Sequence, residues 1–272
     1  MNEVWSNAKA RANGAFALAL YLPVSIVARW LRNRGRVLRG VHRDDAHAMQ
    51  LRRAPWWMLL AWKPIRLVET GKADGNVNVA ELAILAQAAT AIPDGTIVVE
   101  IGTFDGRTTL NLAVNTAAQT PVYTLDLPPD DVATHALAPS ERQYVDKPQA
   151  GARFRACAPP WQTAARRITQ LTGDSATFDW SPYHGRAGLV FVDGSHTYEA
   201  VRIDSERAIP LVAKGGVVLW HDYGRWDGVT RALEELEAER KLGLRRIRGT
   251  SLVFWRNSGA CPNVDANDRI GP

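Results

Sequence analysis

The stretch Ile97-Val98-Val99-Glu100-Ile101-Gly102-Thr103-Phe104-Asp105-Gly106-Arg107-Thr108-Thr109 decides how the rest of the chain is read. It opens with a short apolar run rich in β-branched residues, the pattern of a strand buried on both faces. Gly102 and Gly106 then bracket a turn, and Leu110, Ala113, Val114 and Ala117 continue at helical spacing. A strand that passes through a glycine turn into a helix lets backbone approach a ligand and leaves free N–H groups at the helix start. The spacing is wider than G-x-G-x-x-G and an acid precedes the first glycine, so this is not the dinucleotide fingerprint.

On either side of this unit, helical and strand signals alternate. Val77–Ile92 has helical spacing and stops at the turn Pro93-Asp94-Gly95. Val122–Leu125, Arg167–Leu171, Leu189–Val192, Val217–Trp220 and Thr250–Trp255 read as strands. Tyr198–Val212 and the series Val229, Ala232, Leu233, Leu236 read as helices. This alternation predicts a mainly parallel sheet covered on both faces, with ligands beyond the carboxyl ends of the strands. The polar residues at those ends are Glu100, Asp126, Asp193, His221 and Asp222. A strand-end acid such as Glu100 suits a cationic ligand better than a pyrophosphate, and Asp126 is placed to accept both ribose hydroxyls. Gly173-Asp174-Ser175 falls on the adenine side of the same pocket. S-adenosylmethionine (SAM), with an ammonium and a sulfonium but no phosphate, meets these requirements. Its expected contacts are Glu100, Gly102, Thr103, Gly106, Thr108, Asp126, Asp174 and Asp193.

Val99–Thr109, Asp126, the run Phe191-Val192-Asp193-Gly194-Ser195-His196-Thr197-Tyr198-Glu199, and Pro210-Leu211-Val212 with Gly215-Gly216 and His221-Asp222-Tyr223 together resemble the class I SAM-dependent methyltransferases of the methyltransferase 24 type. They are similar also to macrolide-sugar O-methyltransferases and cephalosporin-hydroxylase-like proteins. The resemblance covers roughly residues 77–255. It implies a Rossmann-like α/β fold, a doubly wound, mainly parallel seven-stranded sheet, here with an N-terminal helical extension. It also implies transfer of a methyl group to a hydroxyl of a sugar, glycosylated or other small-molecule acceptor. His196 would be the general base, and Asp193, His221 and Asp222 would hold Mg²⁺ or Mn²⁺.

One position departs from that pattern. His221 stands where the family places a carboxylate, and a hard Mg²⁺ ion prefers oxygen ligands. Three readings stay open: another metal, an ion held by Asp193, Asp222 and water, or no metal with His221 assisting His196. Plainer roles stay open too. His196 and Asp193 are also acceptable as helix-start residues, and His221 as a residue that orients Asp222 or packs on Tyr223. Asp204 and Glu206 read as a solvated helix face, and Asp105 and Arg107 as either cofactor contacts or turn chemistry. A serine hydrolase is excluded by the absence of Gly-x-Ser-x-Gly, and a dehydrogenase by the glycine spacing. A non-methylating SAM-fold protein, hydroxylase-like or a membrane-surface module, is the remaining alternative.

The 272 residues fall into a basic, tryptophan-rich helical extension (1–70), a catalytic domain (75–256) with an inserted segment near 127–166, and a loose tail (257–272). The insertion reads as a lid or a disordered connection. Cys157 and Cys261 have no partners at metal-ligand spacing, which fits a reducing, cytoplasmic setting. The net charge of +5 divides unevenly: residues 1–53 carry +7 and the rest −2, so a polyanion across the active site is not expected. Within the extension, Phe16, Leu20, Val24, Val27 and Leu31 recur at helical spacing ahead of an arginine run (Arg29–Arg39), and Pro55–Lys63 holds Trp56, Trp57 and Trp62. These features suit contact with the inner face of a membrane or a homo-oligomer interface.

Overall fold

The computed structural model describes residues 3–28, 31, 50–59, 61–71, 75–128 and 150–259. Most of the arginine run, the central part of the inserted segment and the tail beyond 259 lie outside the described residues.

Eight strands form one sheet: β1 (Arg52–Ala54), β2 (Ile97–Ile101), β3 (Val122–Asp126), β4 (Ile168–Thr172), β5 (Ala187–Val192), β6 (Val212–Trp220), β7 (Arg245–Ile247) and β8 (Val253–Arg256). Their order is β1-β7-β8-β6-β5-β2-β3-β4. Among the described strands β8 alone runs antiparallel to its neighbours, β6 and β7. The sheet is therefore doubly wound and mainly parallel as expected, with one strand more than the seven expected. The additional strand is β1, which the extension contributes in parallel register with β7.

The central strands β2 and β5 are buried at every residue, which explains their unbroken apolar runs. Helix α2 (Val79–Ala89) covers one face. It starts at Asn78 with a capping box closed by Glu81, and its Ala, Leu and Ile residues are buried nearly all round. Helix α3 (Arg107–Val114) follows the glycine turn. Short helices α4 (Ala152–Arg155) and α5 (Gln162–Ala165) precede β4. Helices α6 (Tyr198–Leu211) and α7 (Asp227–Arg240) cover the opposite face, burying Val201, Ala208 and Leu211 from one and Val229, Leu233 and Leu236 from the other.

Preceding all of these, α1 (Glu3–Phe16) runs on through a π-helical turn (Ala17–Tyr21) as one helix to Ala28. It lays Ser6, Ala10, Gly14, Ala17 and Leu22 against the body. Leu67 N–H donates to the Ala10 carbonyl, and the Asn13 amide donates to the Leu67 carbonyl. Phe154, Cys157 and Trp161, from the far end of the inserted segment, pack with Ala10, Val68 and Leu110. The described end of that insertion is thus part of the core.

Candidate active site

β2 and β5 are neighbours, yet the chain leaves them toward opposite sides of the sheet, and the cleft opens at that switch point. Gly102 takes φ +96°, and a Cβ there would lie 2.2 Å from the Asp193 carbonyl oxygen. Only glycine lets the ends of β2 and β5 close up so tightly. Phe104 takes the left-handed φ of 49°, and its N–H donates to Asp126 Oδ2 at 2.7 Å. The turn is thereby tied to the end of β3. Thr103 Oγ1 lies 2.7 Å from Thr124 Oγ1, and the Gln170 amide donates to Thr103 at 3.0 Å.

An open cleft results, and Gly102, Thr103, Thr108, Asp126, Asp174 and Asp193 all line it. Gly106 lies beneath it instead, at φ +83°, with no room for a Cβ beside Phe154. Asp126 and Asp174 stand on the β3–β4 side, and Asp193 at the end of β5. That array fits SAM: an acid for the ribose, a second wall for the base, and close-approaching backbone at Gly102.

Glu100 requires a correction. It was expected to attract a cation, but it is fully buried under the turn and does not line the cleft. Its Oε2 accepts from the hydroxyls of Thr109 and Thr124, the latter at 2.7 Å. Burial pushes its carboxyl up to about 8, the two threonine hydrogen bonds opposing only in part. A mainly protonated acid inside the sheet braces the glycine turn and offers no counter-charge to a ligand.

Across the cleft stand the groups with reactive chemistry. His196 Nε2 lies 3.2 Å from Asp222 Oδ2. The His196 ring stacks on Trp226, with centroids 4.7 Å apart and planes 8° from parallel. His196, Asp222 and Trp226 all line the cleft. Asp222 holds a left-handed φ of 61°, backbone strain of the kind that gathers at functional sites. Burial raises its carboxyl, but the neighbouring His221 and His196 outweigh that and hold it below its ordinary value.

His221 does not reach the cleft. Its Nδ1 is 2.9 Å from Asp193 Oδ1 and 3.4 Å from Asp222 Oδ1, and its Nε2 is 3.2 Å from Glu81 Oε2. Burial alone would deprotonate the ring, yet Asp193, Asp222 and Glu81 hold it well above the usual histidine value. Glu81 is held low in turn: burial is overcome by His221 and by a hydrogen bond from the Ser251 N–H. Both ring nitrogens of His221 thus face carboxylates, and His221 is not among the side chains whose ligand atoms converge at the cleft. Ligand atoms of Asp193, His196 and Asp222 do come within 4.8 Å of one another. The two carboxylates of that set are oxygen donors of the kind Mg²⁺ takes, and His196 adds a nitrogen less suited to that ion. Asp193 already bonds His221, and Asp222 already bonds His196. In this structure the positive charge between the two aspartates is that of His221, which burial opposes and the carboxylates favour.

Three contributors escaped the sequence reading. Glu81 was legible as a capping residue, but its second role depends on α2 packing beside β6. Trp226 comes from the turn before α7, and no local pattern marks it. Asp204, read as solvated, is buried, lines the cleft, and accepts from Ser175 Oγ at 2.5 Å. Burial pushes its carboxyl up to about 7. The signal was present, since Val201, Asp204, Ala208 and Leu211 share one helix face. Arg107 turns away from the cleft and donates to the carbonyls of Glu69 and Val77, while Asp105 pairs with Arg153 at 2.7 Å. Arg107 is a structural fastener for the segment leading into α2, whereas Asp105 also lines the cleft.

Residues 99–223 match the model of a family described as a methyltransferase domain. No curated protein sequence matches the chain. Among solved structures, the O-methyltransferase NovP is 17% identical with a TM-score of 0.50, over 88% of this chain and 99% of that one. TomG, an O-methyltransferase from Streptomyces achromogenes solved with SAM, is 18% identical with a TM-score of 0.46, over 68% and 82% of the two chains. An O-methyltransferase from Bacillus cereus, solved with S-adenosylhomocysteine, is 16% identical with a TM-score of 0.44, over 70% and 84%. At 17% identity the likeness to NovP shows the fold. Together with the cleft, the match over residues 99–223 supports a SAM-dependent methyltransferase.

Proposed function

We propose that the protein methylates a hydroxyl oxygen of a sugar, a glycosylated metabolite or another small acceptor, with His196 as general base. The observation that carries this reading is the His196–Asp222 pair, 3.2 Å apart and stacked on Trp226 at the cleft wall opposite Asp126. A neutral hydroxyl is a weak nucleophile at neutral pH and needs its proton removed as it reacts. Ionised Asp222 only accepts hydrogen bonds, so the Nε2 facing it carries the hydrogen and Nδ1 carries the lone pair. Nδ1 therefore takes the acceptor's proton, and Asp222 stabilises the imidazolium that forms. Trp226 fixes the ring plane. SAM, when bound, supplies the methyl group on its sulfonium, and the products are a methyl ether, S-adenosylhomocysteine and one proton. Asp126 would hold the ribose, Asp174 the adenine side, and the turn at Gly102–Thr103 the rest of the nucleoside.

His221 needs no metal to neutralise Asp193 and Asp222. Calorimetry with SAM and S-adenosylhomocysteine, with and without EDTA, is the first test. Micromolar binding and turnover unaffected by EDTA are expected. His196→Ala should lower turnover by about a hundredfold or more while cofactor affinity stays within about threefold. Turnover that collapses with EDTA and returns with Mn²⁺ would restore the metal reading. Unchanged turnover in His196→Ala would remove the base assignment, and absence of SAM binding by folded protein would leave the non-methylating alternative.

A further inference from the structure

Eleven large apolar side chains are exposed among the described residues, and all lie within the first 62. None comes from residues 63–259, so the bare surface is one local feature rather than a property of the whole fold. The helix Glu3–Ala28 is apolar, with a mean hydropathy of 1.3 over its most apolar window, of which 22% is buried. Its seam of Ser6, Ala10, Gly14, Ala17 and Leu22 faces the body, and Phe16, Leu20, Val24 and Val27 stand on the other side. Trp57 and Trp62 add exposed indoles from the turn after β1.

A second observation concerns charge. The paired edge strands set Arg52 beside Arg245 and Arg53 beside Arg246, and Arg248 N–H bonds the Ala54 carbonyl. Side chains alternate between the faces of a sheet, so Arg52 and Arg245 share the face of Ala54 and Ile247, which pack in the same core as Ala17 and Leu22, while Arg53 and Arg246 lie on the other. This basic edge adjoins the apolar helix, since Gly249 is packed against Ile26. Apolar bulk, indoles and the Arg52–Arg245 pair thus share one side of the molecule, in the combination that suits the interface of an anionic bilayer.

We propose that this side docks the enzyme in the plane of a membrane surface containing anionic lipid. The helix is long enough to span a membrane, but spanning would strip its buried seam from the body, including the bonds between residues 10–13 and Leu67. Lying in the interface keeps that seam and buries only the bare face. A second copy of the chain is the less suitable occupant, because the same side would bring two Arg52–Arg245 pairs together.

The test is cosedimentation of the full-length protein with vesicles of phosphatidylcholine alone or mixed with phosphatidylglycerol. Binding to the mixed vesicles is expected, weakened by salt and at least about tenfold weaker to neutral ones. The double substitution Leu20→Ser and Val24→Ser should cut binding by about tenfold, and Arg52→Gln with Arg245→Gln should remove most of the lipid selectivity. Thermal unfolding and SAM affinity of both variants should match the parent, since neither pair touches the cleft. No cosedimentation with anionic vesicles overturns the proposal. So does a dimer in solution that the Leu20→Ser and Val24→Ser pair abolishes, which would make a second copy the occupant.

Discussion

Glu100 shows how a residue marked by sequence can serve the site without entering it. Its folded carboxyl sits near 8 against an ordinary value of 4.5, and that of Asp204 near 7 against 3.8. The folded chain therefore keeps protons that the unfolded chain releases. Stability from Asp204 is fully present below 3.8 and falls as pH rises to about 7, and that from Glu100 falls between 4.5 and about 8. His221 adds in the same sense, being held well above 6.5, whereas Glu81 and Asp222 are held low and lose their contribution only as the solution becomes strongly acidic. Glu100→Gln keeps an acceptor for Thr109 and Thr124 but carries no titrating proton. The cofactor-free variant should show a flatter Tm profile between pH 5 and 8, with a higher Tm than the parent at pH 8. A profile that parallels the parent would place the ionised carboxylate, not the acid, inside the sheet. The role of Glu100 was illegible in sequence because a strand-end acid looks alike whether its side chain points into the cleft or into the core.

Elements, rather than single residues, bring the base and its partners together. α7 begins so close to the loop after β5 that a Cβ on Gly228 would lie 2.3 Å from the His196 carbonyl oxygen and 2.7 Å from the Tyr198 nitrogen. Gly228→Ala must push the first turn of α7 away and carry Trp226 off the His196 ring. Because displacements of about an ångström near reacting groups cost up to a hundredfold in rate, kcat is expected to fall about ten- to a hundredfold, with SAM affinity little changed. Steady-state kinetics and calorimetry decide it; an unaltered kcat would show that the Trp226 stack does not position the base. The helices and the longer strands were legible because their periodicity runs for several residues. Two strands were not. β1 and β7 are three residues each and begin with paired arginines, so they carry no apolar alternation and exist as strands only through pairing with each other.

The extension and the catalytic domain form one packed body at the scale of the whole molecule. Leu22 is fully buried within the same core as Leu67, Leu85 and Phe191, and β1 continues the sheet. The Tyr223 hydroxyl, one residue after Asp222, donates to Glu234 and lies 3.3 Å from the Leu51 N–H. Leu22→Ala should therefore cost about 2–5 kcal/mol and lower the single unfolding transition of the whole chain. Two separate transitions, with the SAM-binding one unmoved, would show an independent extension instead.

Sequence by itself determined the alternation of strands and helices, the glycine turn, and the set of polar residues at strand ends. It could do so because these depend on periodicity and on backbone freedom, both of which are local. The tertiary structure alone decided which of those residues face the cleft and in what charge state. Glu100 and His221 sit one strand position from Ile101 and Trp220, and the pleat together with the helices above it turned both inward. There Glu100 keeps its proton, and His221 gains one from three carboxylates that lie 28 residues upstream, 140 residues upstream and next in the chain. Burial and distant charge set protonation, and neither is written in a residue's own neighbourhood.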